Sequence, residues 1–326
     1  MATALNGKLV TVFGGSGFLG RHIIRALALR GYRVRAAVRR PENAEHLQPL
    51  GVVGQIMPVQ ANIRNRDSVA NAMRGADAVI NLVGILHQSG KQTFDAVQAE
   101  GAENVAAVCA ELGVSRVVHL SAIGADEKSS SMYARTKAAG ENAFKKHCPE
   151  AIIFRPSIVF GPEDDFFNRF GAMARIAPAL PLVGGGKTKF QPVFVGDVAE
   201  AVARAVDGEA VPGTTYELGG PEVRTFKECL QILLKVIRRR RPLVNLPFKM
   251  ARFQARFMQL LPNPPLTVDQ VELLKADNVV SQQAQDEGRT LQGLGIAAHT
   301  IEAILPSYVD KFMPHGQYDA RRPLED

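Results

Sequence analysis

The sequence predicts an α/β protein with a doubly wound parallel sheet and a smaller C-terminal lobe. Three observations predict this fold class. A glycine-rich turn at residues 14–20 lies between an apolar strand and an amphipathic helix, and short apolar strands then alternate with helical patterns as far as Phe160. Beyond Phe160 the pattern becomes irregular. Strands that alternate with crossover helices form a parallel sheet with helices on both faces.

The elements of the first half follow from the spacing of their apolar residues. Continuous apolar runs indicate buried strands, and apolar residues at helical spacing indicate helices that cover the sheet. The predicted strands span residues 8–14, 32–38, 78–84, 116–122 and 151–160, with a further strand that ends at Asn62, and the predicted helices span 21–30, 66–74, 94–112 and 133–147. Some segments of the C-terminal lobe are expected to return to the main sheet.

The composition is that of an ordinary globular protein. Hydrophobic residues are 46% and charged residues 22% of the chain, and no apolar run approaches the roughly 18 residues of a membrane-spanning helix. The N-terminal residues lack the basic and apolar regions of a secretory signal. Cys109, Cys148 and Cys229 are odd in number and lack metal-ligand spacing, which is typical of free thiols in a reducing compartment. We expect a cytoplasmic protein without a metal site.

The net charge of +7 is concentrated in one segment. Residues 229–268 contain no Asp or Glu. The basic residues of this segment are Lys235, Arg238, Arg239, Arg240, Arg241, Lys249, Arg252 and Arg256. The rest of the chain is therefore about neutral, and a nonspecific electrostatic partner is expected to bind here.

The glycine-rich turn predicts a dinucleotide site. Gly14, Gly17 and Gly20 have GxxGxxG spacing. Without side chains the backbone turns tightly and approaches a pyrophosphate, and the following helix N-terminus favours negative charge. The residues expected to contact the nucleotide here are Gly14, Gly15, Ser16, Gly17, Phe18, Leu19 and Gly20. We therefore expect an NAD(P)-binding Rossmann-type domain over residues 1–165 and the smaller lobe over residues 166–326.

The residues after the second strand favour NADP(H) over NAD(H). A site specific for NAD places Asp or Glu near the adenosine ribose, about 20 residues after the glycine turn. This chain has Arg39 and Arg40 there, and arginine pairs well with a 2′-phosphate. The alternative is that both arginines are solvated surface. Asn62, at the end of the third strand, either hydrogen-bonds the adenine or caps its own loop.

A second stretch, "LSAIGADEKSSSMYARTK", supplies a candidate catalytic set of Ser121, Tyr133 and Lys137. Tyr133 and Lys137 are four residues apart and lie on one face of a helix. A cation beside a phenol favours the phenolate, so the tyrosine becomes a usable acid or base near neutral pH. Ser121 follows a buried strand and is placed to hydrogen-bond a substrate oxygen.

These motifs resemble those of the short-chain dehydrogenase/reductase superfamily, in its extended or atypical branches. The matching stretches are "GGSGFLG", "NLVG", "YARTK", "FRPSIVFGP", "FVGDVAEAV" and "YELGGPE". Within that superfamily, "SAIGAD", "RPSIVFGPEDDFFNRF" and "KFQPVFVGDVA" resemble the family of alpha subcomplex subunit nine of respiratory complex I, the NADH:ubiquinone oxidoreductase. The resemblance implies a bacterial relative that holds NADPH and docks on the hydrophilic arm of the complex near the membrane.

The resemblance also implies further nucleotide contacts. They are Asn62, Ile63, Leu82, Val83, Gly84, Tyr133, Lys137 and Pro156. Two positions depart from the superfamily pattern: Gln98 stands where many extended members have Asn, and Asn62 stands where Asp is common. Arg155 matches a family position, and an ion pair at a strand end is the expected structural role for it.

The basic segment includes a predicted amphipathic helix at residues 246–262. The apolar residues on one face are Met250, Phe253, Phe257, Leu260 and Leu261, and the basic residues on another are Lys249, Arg252 and Arg256. One interpretation is a packed helix with a solvated basic side. The other is a helix that, with the rest of residues 238–261, meets anionic phospholipid or a partner near the membrane. Nucleic acid is not expected as a partner, because no recognised binding fold accompanies the patch.

Two functions of different class follow. In the first, the chain is an accessory or assembly subunit of respiratory complex I, peripheral on the cytoplasmic face of the inner membrane, with NADP(H) stabilising its fold. In the second, it is an NAD(P)-dependent oxidoreductase or epimerase that acts on an apolar carbonyl or hydroxyl substrate such as a quinone or isoprenoid. Phe166, Phe167 and Phe170 then line the substrate pocket, or they belong to the core of the lobe. The sequence favours the first function.

Overall fold

A computed structural model describes residues 5–262 and 264–316 of the chain. The strands in that part of the chain are β1 (Leu9–Phe13), β2 (Arg33–Val38), β3 (Ile56–Gln60), β4 (Ala78–Asn81), β5 (Arg116–Leu120), β6 (Ile152–Pro156), β7 (Val159–Phe160), β8 (Leu180–Val183), β9 (Lys189–Phe190), β10 (Val193–Phe194), β11 (Thr215–Leu218), β12 (Arg224–Thr225) and β13 (Leu243–Leu246). Residues 1–4, where the N-terminal stretch without the regions of a secretory signal begins, lie outside the described residues.

The α-helices of the same ranges are α1 (Phe18–Leu29), α2 (Arg66–Met73), α3 (Glu100–Glu111), α4 (Met132–His147), α5 (Phe167–Ile176), α6 (Val195–Asp207), α7 (Phe226–Val236), α8 (Phe248–Met258), α9 (Val268–Leu273), α10 (Gln282–Asp286) and α11 (Ile301–Ile304). A π-helix at Asp95–Ala99 precedes α3 directly. Shorter 3₁₀ segments span Pro41–Leu50, Gly184–Gly186, Leu305–Ser307 and Asp310–Phe312.

The main sheet has seven parallel strands in the order β11-β6-β5-β4-β1-β2-β3. All residues of β4 are buried, because helices cover both faces of a parallel sheet. The strand order reverses between β1 and β4, and nucleotides bind at the carboxyl ends of the strands at such a point. The predicted doubly wound, Rossmann-type fold is confirmed.

Packing divides the chain into two units. The first contains the described residues as far as Pro156 together with Gly196–Leu218 and Ser281–Ile296. The second contains Ser157–Val195, Gly219–Val280 and the described residues from Ala297 onward. The sequence placed one boundary between residues 165 and 166 and expected some later segments to return to the main sheet. This division falls after Pro156 and assigns two later segments, including β11, to the first unit.

The first unit packs α3 and α4 together over the sheet. Val105 of α3, Phe144 of α4 and Val79 of β4 belong to one buried cluster. Gly140 allows a close approach at this point, because a Cβ there would lie only 2.6 Å from the backbone O of Gln98. Helix α4 is thus held tightly against the π-helical segment that precedes α3.

Every predicted strand except β2 ends earlier than the sequence indicated, with β1 ending at Phe13 and β3 at Gln60. The strands predicted at 78–84 and 116–122 stop at Asn81 and Leu120, so the apolar residues that follow them are loops at the carboxyl edge of the sheet. The strand predicted at 151–160 is two strands, β6 and β7. It breaks at Pro156, which has no N–H for the ladder, and the hydroxyl of the next residue, Ser157, donates to the backbone O of Asn278 at 2.8 Å.

The second unit has an aromatic core. The ring of Phe166 lies 5.0 Å from that of Phe167 and 5.5 Å from that of Phe170, and Phe170 lies 5.4 Å from Phe226 between ring centroids. Phe167 is fully buried. Of the two roles open for these phenylalanines, the structure shows the core of the lobe.

Helix α8 packs through small residues and leaves its large apolar residues exposed. Ala251 and Ala255 are buried in a cluster with Val183 and Val271. The exposed fractions of the apolar face are 55% for Met250, 66% for Phe253, 59% for Phe257, 80% for Leu260 and 55% for Leu261. The helix is therefore packed, but through its alanines, because small side chains permit the close contact that the larger ones would prevent. The large apolar residues that the sequence assigned to one face are exposed together with the basic side.

No helix within the described ranges is long and apolar enough to cross a bilayer. In the same ranges, no group of three or more His, Cys, Asp or Glu side chains is placed to hold a metal ion.

Candidate functional site

The glycine turn joins β1 to α1 at the point where the strand order reverses. Gly14 has a φ of +82°, and a Cβ on Gly20 would lie 2.5 Å from the carbonyl oxygens of both Gly14 and Gly15. Only glycine fits there, so α1 packs directly on the turn. Gly17 is the N-cap of α1 and has no side chain to cap it, which leaves the first N–H groups of the helix for an anion. This cradle fits the pyrophosphate of a dinucleotide.

Arg39 and Arg40 follow β2 directly, and both are exposed. Neither guanidinium forms an ion pair with a carboxylate of the described residues. Their position is the one expected for residues that meet the adenosine ribose.

Asn62 forms a local turn before α2. Its Oδ1 accepts from the backbone N of Arg64 at 3.2 Å, and its own N–H donates to the hydroxyl of Ser68 at 3.0 Å. The structure therefore shows the loop-capping role, and a contact with the adenine stays a prediction. The neighbouring Ile63 is buried against Gly101, where a Cβ would lie 2.5 Å from Ile63 Cδ1.

The loop after β4 lies against the glycine turn. The backbone N of Leu82 donates to the O of Phe13 at 3.0 Å. A Cβ on Gly14 would lie 3.4 Å from the backbone N of Val83. The structure thus brings the predicted contacts Leu82, Val83 and Gly84 to the same sheet edge as the turn.

Lys137, the third candidate catalytic residue, is a buried residue of α4. Its Nζ donates to the backbone O of Leu120 at 3.1 Å and lies 6.0 Å from the centroid of the Tyr133 ring. Burial lowers the pKa of Lys137 from 10.5 to about 8, and the charge of Glu141 opposes that shift. The structure thus places the Lys137 ammonium over the Tyr133 ring, and its effect on the phenol stays a prediction.

Ser121 follows β5 and is 3% exposed. Its Oγ is buried and has no hydrogen-bond partner among the described residues. A buried hydroxyl without a partner is costly, and such groups occur at sites that take a ligand. Pro156, at the end of the neighbouring strand β6, accepts a hydrogen bond from the backbone N of Ile123 at 3.0 Å.

Gln98 has a role that the sequence did not reveal. It lies in the π-helix, its Oε1 accepts from the backbone N of Ile85 at 3.1 Å, and its Nε2 donates to Thr136 Oγ1 at 2.9 Å. A Cβ on Gly84 would lie 3.1 Å from Lys137 Nζ and 3.5 Å from Gln98 Oε1. Gln98 therefore ties the loop after β4 to helix α4. No periodic pattern reports a π-helix, and π-helices are frequent at functional sites.

An ion pair one helical turn beyond Lys137 on α4 also escaped prediction in part. Arg155 donates from Nε and Nη2 to the two carboxylate oxygens of Glu141, both at 2.7 Å. The pairing of Arg155 was expected, but Glu141 was not identified as its partner. The spacing of Glu141, one turn beyond Lys137 on a buried helix face, is the signal that was available.

His119 is a further buried polar group beneath the site. Its Nδ1 lies 3.3 Å from Asn81 Nδ2, and its ring stacks on Phe144 with centroids 4.4 Å apart. Burial, followed by the charge of Lys137, holds the pKa of His119 well below its usual range, so the ring is neutral. The sequence signal for a buried histidine here was a polar residue within the apolar run of β5.

A Rossmann sheet with a glycine turn at its switch point and a Tyr-x-x-x-Lys pair beside a strand-end serine is the arrangement of the short-chain dehydrogenase/reductase class. The chain belongs to the NAD dependent epimerase/dehydratase family, whose sequence model matches residues 10–219. The predicted resemblance to the extended branch of that class is confirmed.

Relatives extend the similarity over the rest of the chain. NADH dehydrogenase [ubiquinone] 1 alpha subcomplex subunit 9, mitochondrial, of Arabidopsis thaliana is 36% identical over 327 residues, which cover 96% of this chain and 80% of that protein. The predicted similarity to this subunit family is confirmed. A ceramide reductase of Caulobacter vibrioides is 33% identical over 183 residues, 56% of each chain.

Solved structures share the fold. An NADPH-dependent quinone oxidoreductase of Escherichia coli, complexed with NADPH, has a TM-score of 0.70 and 19% identity, and the match covers 90% of this chain and 97% of that one. At this identity the likeness shows the fold alone.

Proposed function

We propose that the chain is an NADP(H)-binding accessory or assembly subunit of respiratory complex I that associates with the membrane surface. The observation that carries this proposal is the 36% identity to a complex I subunit over 96% of the chain. That similarity extends well beyond the residues of the nucleotide-binding family match, which end at position 219. A relative that shared only the nucleotide-binding half would not resemble this chain across the second unit.

Affinity purification from native membranes, followed by mass spectrometry, tests the assembly role. The tagged chain should recover complex I subunits in fixed proportion. A matched control carries the tag on an unrelated protein of similar charge. Recovery of the chain by itself from the soluble fraction, with no complex I subunits, would contradict the proposal.

NADP(H) is the proposed nucleotide. The turn at residues 14–20, the loop at residues 82–84, Asn62, Ile63, Tyr133, Lys137 and Pro156 would hold it, and Arg39 with Arg40 would pair with the 2′-phosphate. In an accessory subunit the bound nucleotide supplies folding stability through mass action, and in an enzyme its nicotinamide supplies hydride transfer.

The double variant Arg39→Gln/Arg40→Gln tests the nucleotide preference. NADPH binding should weaken by at least about 10- to 100-fold, since even one charged hydrogen bond contributes roughly 1.5–3 kcal/mol, while NADH binding should hardly change. Arg25→Gln/Lys128→Gln removes two exposed charges elsewhere in the first unit and serves as the control. Equal losses for both nucleotides in a fluorescence titration would show that the arginines do not read the 2′-phosphate.

Membrane association is proposed to use the α8 surface, which we define as the exposed apolar residues of α8 and the two residues after its C-terminal turn together with the basic residues beside them. These residues are Lys249, Met250, Arg252, Phe253, Arg256, Phe257, Leu260 and Leu261. The ring centroids of Phe253 and Phe257 lie 5.2 Å apart, so these two exposed side chains form one apolar patch. Apolar side chains bordered by basic ones match the chemistry of an anionic phospholipid interface.

Sedimentation with vesicles tests this surface. Wild type should bind vesicles that contain anionic phospholipid and should bind neutral vesicles much less, because each Lys or Arg near an anionic surface contributes about 1 kcal/mol. Phe253→Ser/Phe257→Ser should lower the binding strongly. Ile176→Ser/Val223→Ser removes two other exposed apolar side chains of the second unit and should not. If the two double variants bind alike, the α8 surface is not the contact.

A second function is favoured by the unpartnered, buried Oγ of Ser121 beside the buried Lys137. In this alternative the chain is an NAD(P)-dependent oxidoreductase or epimerase for an apolar carbonyl or hydroxyl substrate such as a quinone or isoprenoid. Ser121 would position the substrate oxygen, Tyr133 would donate or accept its proton, and Lys137 would stabilise the phenolate. Tyr133→Phe should abolish turnover while nucleotide binding remains, and turnover that survives the change would rule out this assignment.

A further inference from the structure

The second unit contains an open cavity at the C-terminal end of α7 that the proposed function does not use. Its volume is about 420 Å³, and three of its lining residues are the consecutive Arg239, Arg240 and Arg241. Leu234 and Leu243 contribute apolar walls. The cavity is therefore lined by both basic and apolar residues.

The backbone turns sharply to place these arginines together. Arg238 has a φ of +52°, the left-handed region in which an L-residue is strained and glycine is usual after a helix. The N–H of Arg238 donates to the O of Lys235 at 3.2 Å, and the N–H of Arg239 donates to the O of Leu234 at 3.0 Å. This closure ends α7, and the three arginines that follow leave the helix as a group.

Backbone carbonyls fix two of the guanidinium groups. Arg239 Nε donates to the O of Phe312 at 2.6 Å. Arg241 donates from Nε to the O of Ala174 at 2.9 Å and from Nη1 to the O of Arg240 at 3.3 Å. A neutral carbonyl orients a guanidinium without neutralising its charge, so the side chains are already ordered and lose less freedom when a ligand binds.

The positive charge of Arg240 and Arg241 is not compensated locally. Neither side chain forms an ion pair with a carboxylate in the ranges that the structure describes. In sequence, no acidic residue occurs from position 229 to position 268. Adjacent, uncompensated and partly oriented guanidinium groups are suited to an anion.

We propose that this cavity binds the phosphate group of a phosphate ester through Arg240 and Arg241. The planar fork of arginine matches phosphate oxygens with paired hydrogen bonds, and the apolar walls at Leu234 and Leu243 suit the organic part of the ester. The phosphate comes from a lipid headgroup or from a water-soluble ester. The inference stands apart from the proposed function, because it concerns a saturable site and neither complex I nor the α8 surface.

Calorimetric titration of the full chain, with NADPH present to occupy the nucleotide site, tests the proposal. The probes are dihexanoyl phosphatidic acid below its micelle concentration and inorganic phosphate. Wild type should bind at least the short-chain lipid at one site per chain. Binding of the lipid alone identifies a lipid headgroup site, whereas saturable binding of both probes identifies a general phosphate site, and each supports the proposal.

Two double variants of equal charge separate a built site from general attraction. Arg240→Gln/Arg241→Gln should weaken binding by at least about tenfold, as expected for the loss of two charged hydrogen-bonding groups. Lys187→Gln/Lys227→Gln removes two exposed charges of the second unit that belong neither to the cavity nor to the α8 surface, and it should change the affinity by less than about twofold, since exposed charges outside the site are screened by salt. Equal effects of the two variants, or no saturable binding of either probe to wild type, would overturn the proposal.

The single variant Arg240→Gln covers the case in which the loss of the Arg241 contacts impairs folding. No side-chain hydrogen bond of Arg240 joins it to the rest of the described chain, so its fold should be retained and its phosphate affinity reduced. Unchanged affinity in this folded variant would also overturn the proposal. If the protein does not sediment with anionic vesicles but binds a phosphate probe in the titration, the membrane proposal is wrong and the phosphate site stands.

Discussion

Replacing Lys137 by Met should stabilise the protein at neutral pH. The Nζ is buried, and its pKa falls from 10.5 to about 8, chiefly because burial disfavours the charged form. At 1.36 kcal/mol for each pKa unit, this fall corresponds to about 3 kcal/mol of destabilisation when the lysine is protonated. The Met variant also loses the hydrogen bond to the O of Leu120, which costs it about 1 kcal/mol of stability. The expected net gain in the free energy of unfolding is about 2 kcal/mol at pH 7.

The gain should depend on pH in a defined window. Below pH 8 the lysine is protonated in both the folded and the unfolded chain, so the folded protein bears the whole cost. Between pH 8 and 10.5 the folded chain releases its proton first, and wild type becomes more stable relative to the Met variant as the pH rises. Above 10.5 the lysine is neutral in both states and the cost of burying its charge is gone.

Urea unfolding of wild type and Lys137→Met at pH 7, 8.5 and 10 gives the difference in their free energies of unfolding at each pH. Because both proteins contain the same other titratable groups, the contributions of those groups cancel in the difference. The exposed lysine in Lys128→Met serves as the control and should give a small difference that does not change with pH. A Lys137→Met variant that is less stable than wild type at pH 7, or a difference that is the same at all three pH values, would refute the burial argument.

Two further predictions concern the frame of the site. Gly20→Ala places a Cβ 2.5 Å from two backbone oxygens, so the turn must shift. Nucleotide binding should be lost, as measured by fluorescence titration. In the control Gly17→Ala the nearest contact of the Cβ is 3.4 Å, so this variant should keep the fold. Glu141→Gln removes the nearer of the two carboxylates that pair with Arg155, the other being Glu217 at 3.8 Å. It should lower the free energy of unfolding by about 2–3 kcal/mol in urea, while the exposed Glu150→Gln should change it by less than about 0.5 kcal/mol.

The parts of the fold that the sequence predicts are those fixed by local rules. A strand, a glycine turn and a helix are contiguous in the chain, so β1, α1 and the cradle at Gly14–Gly20 are readable from spacing. Tyr133 and Lys137 are also close in sequence, and one helical turn brings them together. The role of Gln98 depends on the backbone of Ile85 and the hydroxyl of Thr136. Such contacts between separate elements leave no periodic signal.

Helix α8 shows a second limit of sequence reasoning. Its apolar and basic faces are both readable, but periodicity does not say which face packs. The contact is made by Ala251 and Ala255, because small side chains let the helix approach Val183 and Val271. A hydrophobicity pattern gives most weight to Phe253 and Phe257, which are exposed. Distinguishing a packing face from a docking face therefore requires the tertiary structure.

The cost of burying Lys137 also bears on the choice between the two functions. If the lysine serves to hold a nucleotide, its favourable interaction with the bound ligand offsets the cost of burying it. Saturating NADPH should then stabilise Lys137→Met less than it stabilises wild type. If it serves to tune Tyr133 for proton transfer, the Met variant should retain most of its nucleotide stabilisation and lose turnover instead. Thermal unfolding with and without NADPH separates these outcomes without knowledge of a substrate. Undiminished stabilisation of the Met variant by NADPH would count against a purely nucleotide-holding role for Lys137.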